Sequence, residues 1–295
     1  MRILVTGATG QLARSLVERA PRFPAMELSA VGRPRLDLAI PGSAGDVISS
    51  AKPDLVINTA ADTDVDGAEE HQQLAMRLNA EAAGEVAAAA AASGAPIIQL
   101  STDYVFDGTA SRPYAEDAAT GPLNAYGRTK LAGEEAVRAA SPDHLILRTA
   151  WVYSPFGRNF VKTVFDAAEE RDELRVVADQ RGSPTSALDL ADALLGAART
   201  WQRGAETGRG QIYHLAGSDE ASWHDVATEI MDQRRMLGLK AAKLIPIAAS
   251  DWPVRAVRPQ YSVLDSSRFE RDFGLAMPDW RKSVAAVVRR LATGV

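Results

Sequence analysis

A tyrosine and a lysine, Tyr126 and Lys130, lie four residues apart at the start of a segment with helical character. Four residues make about one helical turn, so the two side chains share a face. An unperturbed phenol has a pKa of ~10 and is protonated at neutral pH, which suits a proton donor to a carbonyl group being reduced. The ammonium group of Lys130 would stabilise the phenolate that remains and lower the pKa of Tyr126. The pair predicts general acid catalysis.

A hydroxyl group and a carboxyl group, those of Thr102 and Asp103, follow the fourth predicted strand. In a parallel α/β sheet, ligands bind beyond the carboxyl ends of the strands. A hydroxyl group at that place would donate a hydrogen bond to the substrate oxygen as negative charge develops on it. Thr102, Tyr126 and Lys130 are therefore the predicted catalytic residues.

Two glycines, Gly7 and Gly10, lie between a short apolar run and a helix-like segment that begins with Gln11 and Leu12. Glycine allows a tight turn and a close approach of the backbone to a diphosphate. The following helix would present free N–H groups to that anion. No Gly-Lys-Ser/Thr follows, which excludes a P-loop. The turn predicts a dinucleotide site, in which Tyr126 and Lys130 would also contact the cofactor.

The end of the second predicted strand indicates which dinucleotide is bound. A carboxylate at that place would bind the ribose 2′-hydroxyl group of NAD, whereas an arginine accommodates a 2′-phosphate. The sequence has Arg33 there, so NADPH is the predicted cofactor, with NADH as a second possibility. Asp37 and Leu38 are expected to border the adenine.

Strand-like and helix-like segments alternate through the first half of the chain. Strands are predicted over residues 2–6, 26–31, 55–58, 97–101 and 145–149. Helices are predicted over residues 11–20, 42–50, 69–93 and 125–140. Alternation of this kind is typical of a parallel sheet covered on both faces. We expect an α/β fold with a doubly wound, Rossmann-type sheet in residues 1–150. Residues 151–295 should mainly form a smaller substrate-binding lobe, with some segments returning to the sheet.

The composition of the chain excludes several classes of protein and of binding site. The 295 residues are 46% hydrophobic and 24% charged, which is ordinary for a globular protein. The net charge of -5 argues against nucleic-acid binding, which needs a basic face. The chain has no cysteine, so no disulfide or cysteine-ligated zinc site can form. It has neither a signal-peptide pattern nor an apolar run of the ~18 residues that would span a bilayer, so we expect no membrane association and a cytoplasmic protein.

Taken together, these motifs resemble the extended short-chain dehydrogenases/reductases and, within them, the dTDP-4-dehydrorhamnose reductases. The resemblance covers nearly the whole chain and depends on residues 7–12, 58–66, 101–108, 126–130, 148–153 and 179–185. It implies hydride transfer from NAD(P)H to C4 of dTDP-4-dehydro-L-rhamnose, with Tyr126 protonating the oxygen. The cofactor site that it implies consists of Gly10, Gln11, Leu12, Asp37, Leu38, Ala60, Ala61, Asp62 and Thr63.

The same resemblance implies that Thr102, Asp103 and Trp151 contact the sugar nucleotide. A dTDP diphosphate also needs cationic donors, and Arg258 is the predicted one because a guanidinium group matches phosphate geometry. Asn159 and Gln180 are predicted polar contacts to the nucleotide. Trp223 is interpreted as a packing residue.

Some members of this family form dimers bridged by magnesium, which glutamates bind. The corresponding places in this chain are Ser15, Leu188 and a tail rich in Lys, Arg and Ala. Because a hard cation needs oxygen ligands that these residues do not provide, we expect no metal site and either a monomer or a metal-independent homodimer.

Three alternatives remain open. The first is a reductase of another nucleotide-linked 4-keto-deoxysugar. The second is an epimerase or a 4,6-dehydratase, which the sequence disfavours because Asp103 is followed by Tyr104 rather than by the glutamate of the dehydratases. The third is a non-catalytic regulatory homologue that binds a nucleotide without turnover.

Overall fold

A central parallel sheet organises the computed structural model, which describes residues 1–294. The strands, in chain order, are β1 (Arg2–Thr6), β2 (Glu27–Val31), β3 (Leu55–Asn58), β4 (Ile97–Thr102), β5 (His144–Thr149), β6 (Val152–Tyr153), β7 (Glu173–Val177), β8 (Arg181–Gly182), β9 (Thr185–Ser186), β10 (Gln211–His214), β11 (Ala221–Ser222) and β12 (Lys243–Ile247). Six of them form the sheet in the order β10-β5-β4-β3-β1-β2, with every neighbouring pair parallel.

Helices cover both faces of this sheet. They are α1 (Gln11–Arg19), α2 (Ser43–Ala51), α3 (Val65–Glu70), α4 (Gln72–Met76), α5 (Ala82–Ala92), α6 (Ala125–Ala140), α7 (Phe160–Glu170), α8 (Ala187–Gln202), α9 (Trp223–Met236), α10 (Ser267–Phe273) and α11 (Trp280–Thr293). Helices α1 and α8 bury residues such as Leu16 and Leu194 against one face. Helices α2 and α5 bury residues such as Ile48 and Val86 against the other. The central strands β3, β4 and β5 are buried along their whole length, which is why each contains a short apolar run, such as Ile97–Ile98 in β4.

The order of the strands fixes the place of a ligand site. The chain runs from β1 to β2 on one side and resumes at β3 on the other side of β1. Such a reversal leaves a crevice beyond the carboxyl ends of the strands, where ligands of α/β proteins bind. Strands β4 and β5 end in register, because Thr102 pairs with Thr149. The residues that follow β1, β3, β4 and β5 are thereby brought to one edge.

The second half of the chain has a core of its own. Helices α7, α9 and α11 pack around Tyr153, Ile230 and Trp280. Two elements of this half return to the sheet: β10 pairs with β5, and α8 packs on α1. Residue 150 as the boundary between two domains stays a prediction.

The predicted fold class is confirmed, and most predicted elements match the observed ones to within one residue at each end. The helix predicted over residues 69–93 is instead interrupted. His71 separates α3 from α4, and a π-helical turn, Arg77–Glu81, joins α4 to α5. None of the helices within residues 1–294 has the length and apolar character needed to cross a membrane.

Candidate active site

A cleft of about 920 Å³ opens beyond the carboxyl ends of the sheet strands. Sixteen of the nineteen predicted site residues line it: Gly7, Gly10, Gln11, Leu12, Arg33, Asp37, Leu38, Ala60, Ala61, Thr63, Thr102, Asp103, Tyr126, Lys130, Trp151 and Asn159. The structure therefore brings the predicted catalytic residues and most of the predicted cofactor residues into one space.

The other three predicted site residues do not line the cleft. The backbone N–H of Asp62 donates to Asn79 Oδ1 at 2.8 Å, and the Asp62 side chain accepts from the N–H of Asp64 at 3.1 Å. Gln180 is buried between β7 and β8. Arg258 uses its guanidinium group in an ion pair with Asp66, at 2.7 Å. Neither Gln180 nor Arg258 lines the cleft, and their roles as ligand contacts stay predictions.

The glycine turn after β1 has the geometry of an anion site. Gly7 has φ +84°, and a Cβ atom built on it would lie 3.1 Å from Ala60 Cα. Helix α1 begins after Gly10, and no side chain caps its first N–H groups. Uncapped amides at a helix start attract a phosphate group. The turn can hold the diphosphate of a dinucleotide.

The adenine end of the cleft is lined by Arg33, Asp37 and Leu38, just after β2. Arg33 is exposed and makes no ion pair with any residue in the range 1–294. The side chain of Asp37 accepts a hydrogen bond from the N–H of Ala39, at 3.0 Å, which shapes the loop after β2. Arg33 is available for a 2′-phosphate at this end.

The start of helix α6 places Tyr126 against the end of β4. Asn124 caps the helix by accepting a hydrogen bond from the N–H of Gly127, at 2.8 Å. A Cβ atom on Gly127 would lie 2.2 Å from the carbonyl oxygen of Tyr104, so only glycine permits this approach. The rings of Tyr104 and Tyr126 meet edge to face, with centroids 5.7 Å apart. Gly127 is therefore the reason why the phenol reaches the strand ends.

Thr102 and Tyr126 interact through their hydroxyl groups. Burial raises the pKa of Tyr126 well above its usual value, and a hydrogen bond with the Thr102 side chain acts in the opposite direction. The Thr102 hydroxyl group also donates to Asp103 Oδ1, at 3.0 Å. The sequence predicted a lowered pKa for Tyr126, but burial reverses the direction in this structure. The phenol is therefore protonated at neutral pH, as a proton donor must be.

Lys130 is buried one turn further along α6, and its Nζ donates to the carbonyl oxygen of Leu100, at 2.7 Å. Burial lowers the pKa of Lys130 to about 8, and the negative charge of Glu134 opposes the shift. Glu134 forms a buried ion pair with Arg148, at 2.8 Å, and accepts a hydrogen bond from the Ser101 hydroxyl group, at 2.5 Å. This brace joins α6, β4 and β5 directly behind the predicted catalytic residues.

Two buried oxygen atoms that line the cleft lack hydrogen-bond partners within residues 1–294. They are Asp103 Oδ2 and Thr149 Oγ1. Burial raises the pKa of Asp103 to about 7, although side-chain hydrogen bonds with Ser262 and Thr102 oppose the shift. Buried polar atoms are normally satisfied. Together with the uncapped helix and the glycine turn, they indicate that the cleft accommodates polar ligands.

A pair of stacked tryptophans borders the same cleft. Trp151 and Trp223 have ring centroids 3.5 Å apart and planes 5° from parallel. Trp151 has φ +46°, an uncommon conformation for a residue other than glycine. Such strain persists only where neighbouring groups hold it, and it is concentrated at functional sites. Trp223, interpreted from the sequence as a packing residue, is thus part of the site.

Loop 154–159, which connects β6 to α7, is attached to the start of α1. The Oε1 atom of Gln11 accepts hydrogen bonds from Ser154 Oγ, at 2.8 Å, and from Asn159 Nδ2, at 2.9 Å. Asn159 also caps α7 by accepting from the N–H of Lys162. The side chains of Gln11 and Asn159 therefore hold two elements together, in addition to lining the cleft.

A second cavity, of about 750 Å³, lies at the opposite edge of the sheet. Its arginines and aspartates pair with each other, Arg2 with Asp54 and Arg209 with Asp143. The ligand-binding edge of a parallel sheet is the other one. Within residues 1–294, no group of three or more His, Cys, Asp or Glu side chains is arranged to hold a metal ion.

Trp223 and Arg158 are two of the cleft residues that sequence reasoning did not assign to the site. Trp223 follows Ser222, which caps α9 in a capping box. That capping signal could have placed Trp223 at a helix start, but nothing local indicates its contact with Trp151. Arg158 lies beside Asn159 in a loop that the sequence already suggested for substrate binding.

Comparison with known proteins gives consistent matches over the full chain. A family model described as "RmlD substrate binding domain" matches residues 1–293. The chain is 43% identical over 288 residues to a dTDP-4-dehydrorhamnose reductase of Sinorhizobium fredii, covering 98% of this chain and 97% of the relative. Two solved dTDP-4-dehydrorhamnose reductases have TM-scores of 0.90. The one from Clostridium acetobutylicum is 38% identical and covers 99% of this chain and 100% of its own. The one from Bacillus anthracis, in complex with NADP, is 32% identical and covers 98% and 99%.

Proposed function

The chain belongs to the family described as "RmlD substrate binding domain", and we propose on that premise that it reduces the C4 keto group of dTDP-4-dehydro-L-rhamnose to give dTDP-L-rhamnose. NADPH is the reductant, as supported by the solved relative that contains NADP and by the exposed Arg33 at the adenine end. Bound NADPH supplies the hydride that C4 accepts.

The residues of this chain would supply the proton that the reduction requires. Thr102 would donate a hydrogen bond to the keto oxygen and so stabilise the negative charge that develops there. Tyr126 would transfer its phenolic proton to that oxygen, which completes the alcohol and leaves a phenolate. Lys130, with its ammonium group fixed in the same buried space, would stabilise the phenolate until water returns a proton.

One observation supports this proposal most directly. Thr102 and Tyr126, which belong to different elements, interact through their hydroxyl groups in the cleft that contains the Gly7–Gly10 turn. A carbonyl group placed between the two hydroxyl groups would receive two O–H donors. The cleft, at about 920 Å³, lies near the upper end of the size range of ligand pockets.

We further propose that the protein acts as a monomer or as a homodimer without a bridging metal. Ser15 donates to the carbonyl oxygen of Gln11, Leu188 is buried, and Arg290 forms a two-bonded ion pair with Glu18. None of the three is a ligand for a hard cation. Sedimentation with EDTA and then with magnesium tests this: a dimer that forms only with magnesium would contradict it.

A coupled assay tests the reaction itself. The protein is supplied with dTDP-4-dehydro-6-deoxyglucose, a 3,5-epimerase and NADPH, and the absorbance of the reduced nicotinamide is followed. We expect consumption by the wild type and a loss of ~10²- to 10⁴-fold in kcat for Tyr126→Phe, because the proton donor is removed.

Tyr261→Phe is the matched control, because that hydroxyl group bonds to Glu220 outside the cleft. Its kcat should equal that of the wild type. Equal rates for Tyr126→Phe and the wild type would reject Tyr126 as the acid. Consumption with another 4-keto-deoxysugar nucleotide only would assign a different substrate.

A further inference from the structure

The cleft contains few charged side chains, and three of them are cations: Arg33, Lys130 and Arg158. Arg33 lies at the adenine end, and the ammonium group of Lys130 is buried against the carbonyl oxygen of Leu100. Arg158 is exposed and forms no ion pair or hydrogen bond with any residue in the described range 1–294. A dinucleotide brings two negative charges on its diphosphate, so Arg158 is the cation available to the middle of the cleft.

The backbone beside Arg158 lies against the start of helix α1. A Cβ atom built on Gly157 would be 3.4 Å from Gln11 Cγ, in ordinary contact. Gln11 Oε1 binds Ser154 and Asn159, on either side of that contact. The loop that carries Arg158 is therefore held against the start of α1, whose uncapped N–H groups could bind a diphosphate.

The other cationic side chains near Arg158 make contacts outside the cleft. The guanidinium groups of Arg14 and Arg290 lie over the ring of Phe156, at 4.2 and 5.0 Å from its centroid. Lys162 Nζ donates to the carbonyl oxygen of Pro155, at 3.4 Å. These contacts hold loop 154–159 in place, and none of the three side chains lines the cleft.

We propose that Arg158 binds the diphosphate of the nicotinamide cofactor from the side opposite the α1 amides. This inference rests on the proposed function, because it takes the cofactor to lie across the glycine turn. A guanidinium group can form two parallel hydrogen bonds to phosphate oxygens. Since loop 154–159 belongs to the second half of the chain, residues of both halves would then bind the cofactor.

The test is direct cofactor binding, followed by nicotinamide fluorescence, for NADPH and NADH separately. Arg158→Gln should weaken the binding of both cofactors by about tenfold, because both carry the same diphosphate. Arg33→Gln should weaken NADPH binding far more than NADH binding, because only NADPH has a 2′-phosphate. The loss in Arg158→Gln should shrink at high salt, which screens an exposed charge.

Arg171→Gln is the matched control: this arginine is exposed, follows the other end of α7, and its side chain forms no hydrogen bond or ion pair within residues 1–294. Its dissociation constants should equal those of the wild type. Arg158→Lys, which keeps the charge but not the two-bonded geometry, should bind with intermediate affinity and show that the substitution itself is tolerated.

Two results would overturn the proposal. In one, Arg158→Gln binds both cofactors as the wild type does while its KM for the sugar nucleotide rises, which would assign Arg158 to the substrate. In the other, the wild type binds neither cofactor, and the proposed function fails too. A third result separates the two proposals: the wild type binds NADPH, Arg158→Gln binds NADPH more weakly, and the coupled assay shows no turnover. The proposed function then fails and this inference stands.

Discussion

The two walls of the cleft are built in different ways. The first wall comprises the turn after β1, the ends of β3, β4 and β5, and the start of α6, and its residues follow buried elements directly. The second wall comprises Trp151, Trp223 and loop 154–159, and side chains distant in sequence hold its loop in place. Ser154 and Asn159 reach Gln11 across 143 and 148 residues.

This difference has a consequence for stability. The first wall can open only if the central sheet is disturbed, and sheet cores are among the last parts of a protein to unfold. The loop of the second wall depends on individual hydrogen bonds, each contributing about 1 kcal/mol net. We therefore expect the first wall to set global stability, and the loop to respond locally to ligands and to substitutions.

The largest effect is expected behind the first wall, for Arg148→Met. Arg148 and Glu134 are an ion pair whose side chains are 4% and 3% exposed. Removing the arginine leaves a buried carboxylate without its partner, which typically costs ~3–5 kcal/mol. Urea unfolding should show this loss in the free energy of unfolding.

The double variant Arg148→Met with Glu134→Leu is the control for that experiment. Replacing both members of a buried pair with apolar groups is often close to neutral, so most of the lost stability should return. A loss below ~1 kcal/mol in the single variant would show that the pair is not the buried brace described here, and the contrast between the walls would weaken.

The fold was predictable because its signals are local. Helix α6 was predicted with the observed bounds: Asn124 caps its start, and strands that contain short apolar runs lie on either side of it. The interruption near His71 was not predictable, because the helix-like composition continues through it. A π-helical turn such as Arg77–Glu81 depends on packing rather than on residue preference.

The two walls differ in the same way: local sequence indicates the first wall, and contacts between distant residues determine the second. Thr102, Tyr126 and Lys130 could be located from a strand end and one helical turn. Trp223 and Arg158 could not, because their places depend on contacts with Trp151 and with the Gln11 region. The ion pair of Arg258 with Asp66 joins residues 192 positions apart, so no local pattern in the sequence could indicate this partner.

A smaller effect is expected in the second wall, for Gln11→Ala. The substitution removes the acceptor shared by Ser154 and Asn159, and we expect a loss of ~1 kcal/mol or slightly more in the free energy of unfolding. Hydrogen exchange should become faster for the backbone amides of loop 154–159 and stay unchanged in β1 and β4. That pattern would locate the effect in the second wall.

Gln202→Ala serves as the comparison for Gln11→Ala. Gln202 is an exposed glutamine that donates to the carbonyl oxygen of Ala25, away from the cleft. It should leave exchange in loop 154–159 unaltered. If Gln11→Ala accelerated exchange throughout the central sheet as well, the two walls would form a single cooperative unit and the distinction would be lost.

The smallest effect is expected at Asp66, where segment 252–260 is fastened over α3. The hydrogen bond from Arg258 is the main cause that lowers the pKa of Asp66 to about 2. A carboxyl group with a lowered pKa adds stability above its unfolded pKa of ~3.9, and this is lost as the pH falls toward about 2. Because the Asp66 side chain is 37% exposed, solvent screening limits the contribution to about 0.2–1 kcal/mol.

The stability difference between the wild type and Asp66→Asn should therefore be constant near neutral pH and shrink as the pH falls below ~4. Urea unfolding at a series of pH values measures it. Asp64→Asn is the neighbouring control, because Asp64 caps α3 through the N–H of Gly67, and asparagine can make the same bond. A difference for Asp66→Asn that stays the same down to pH ~3 would show that the Arg258 ion pair does not contribute to the attachment of segment 252–260.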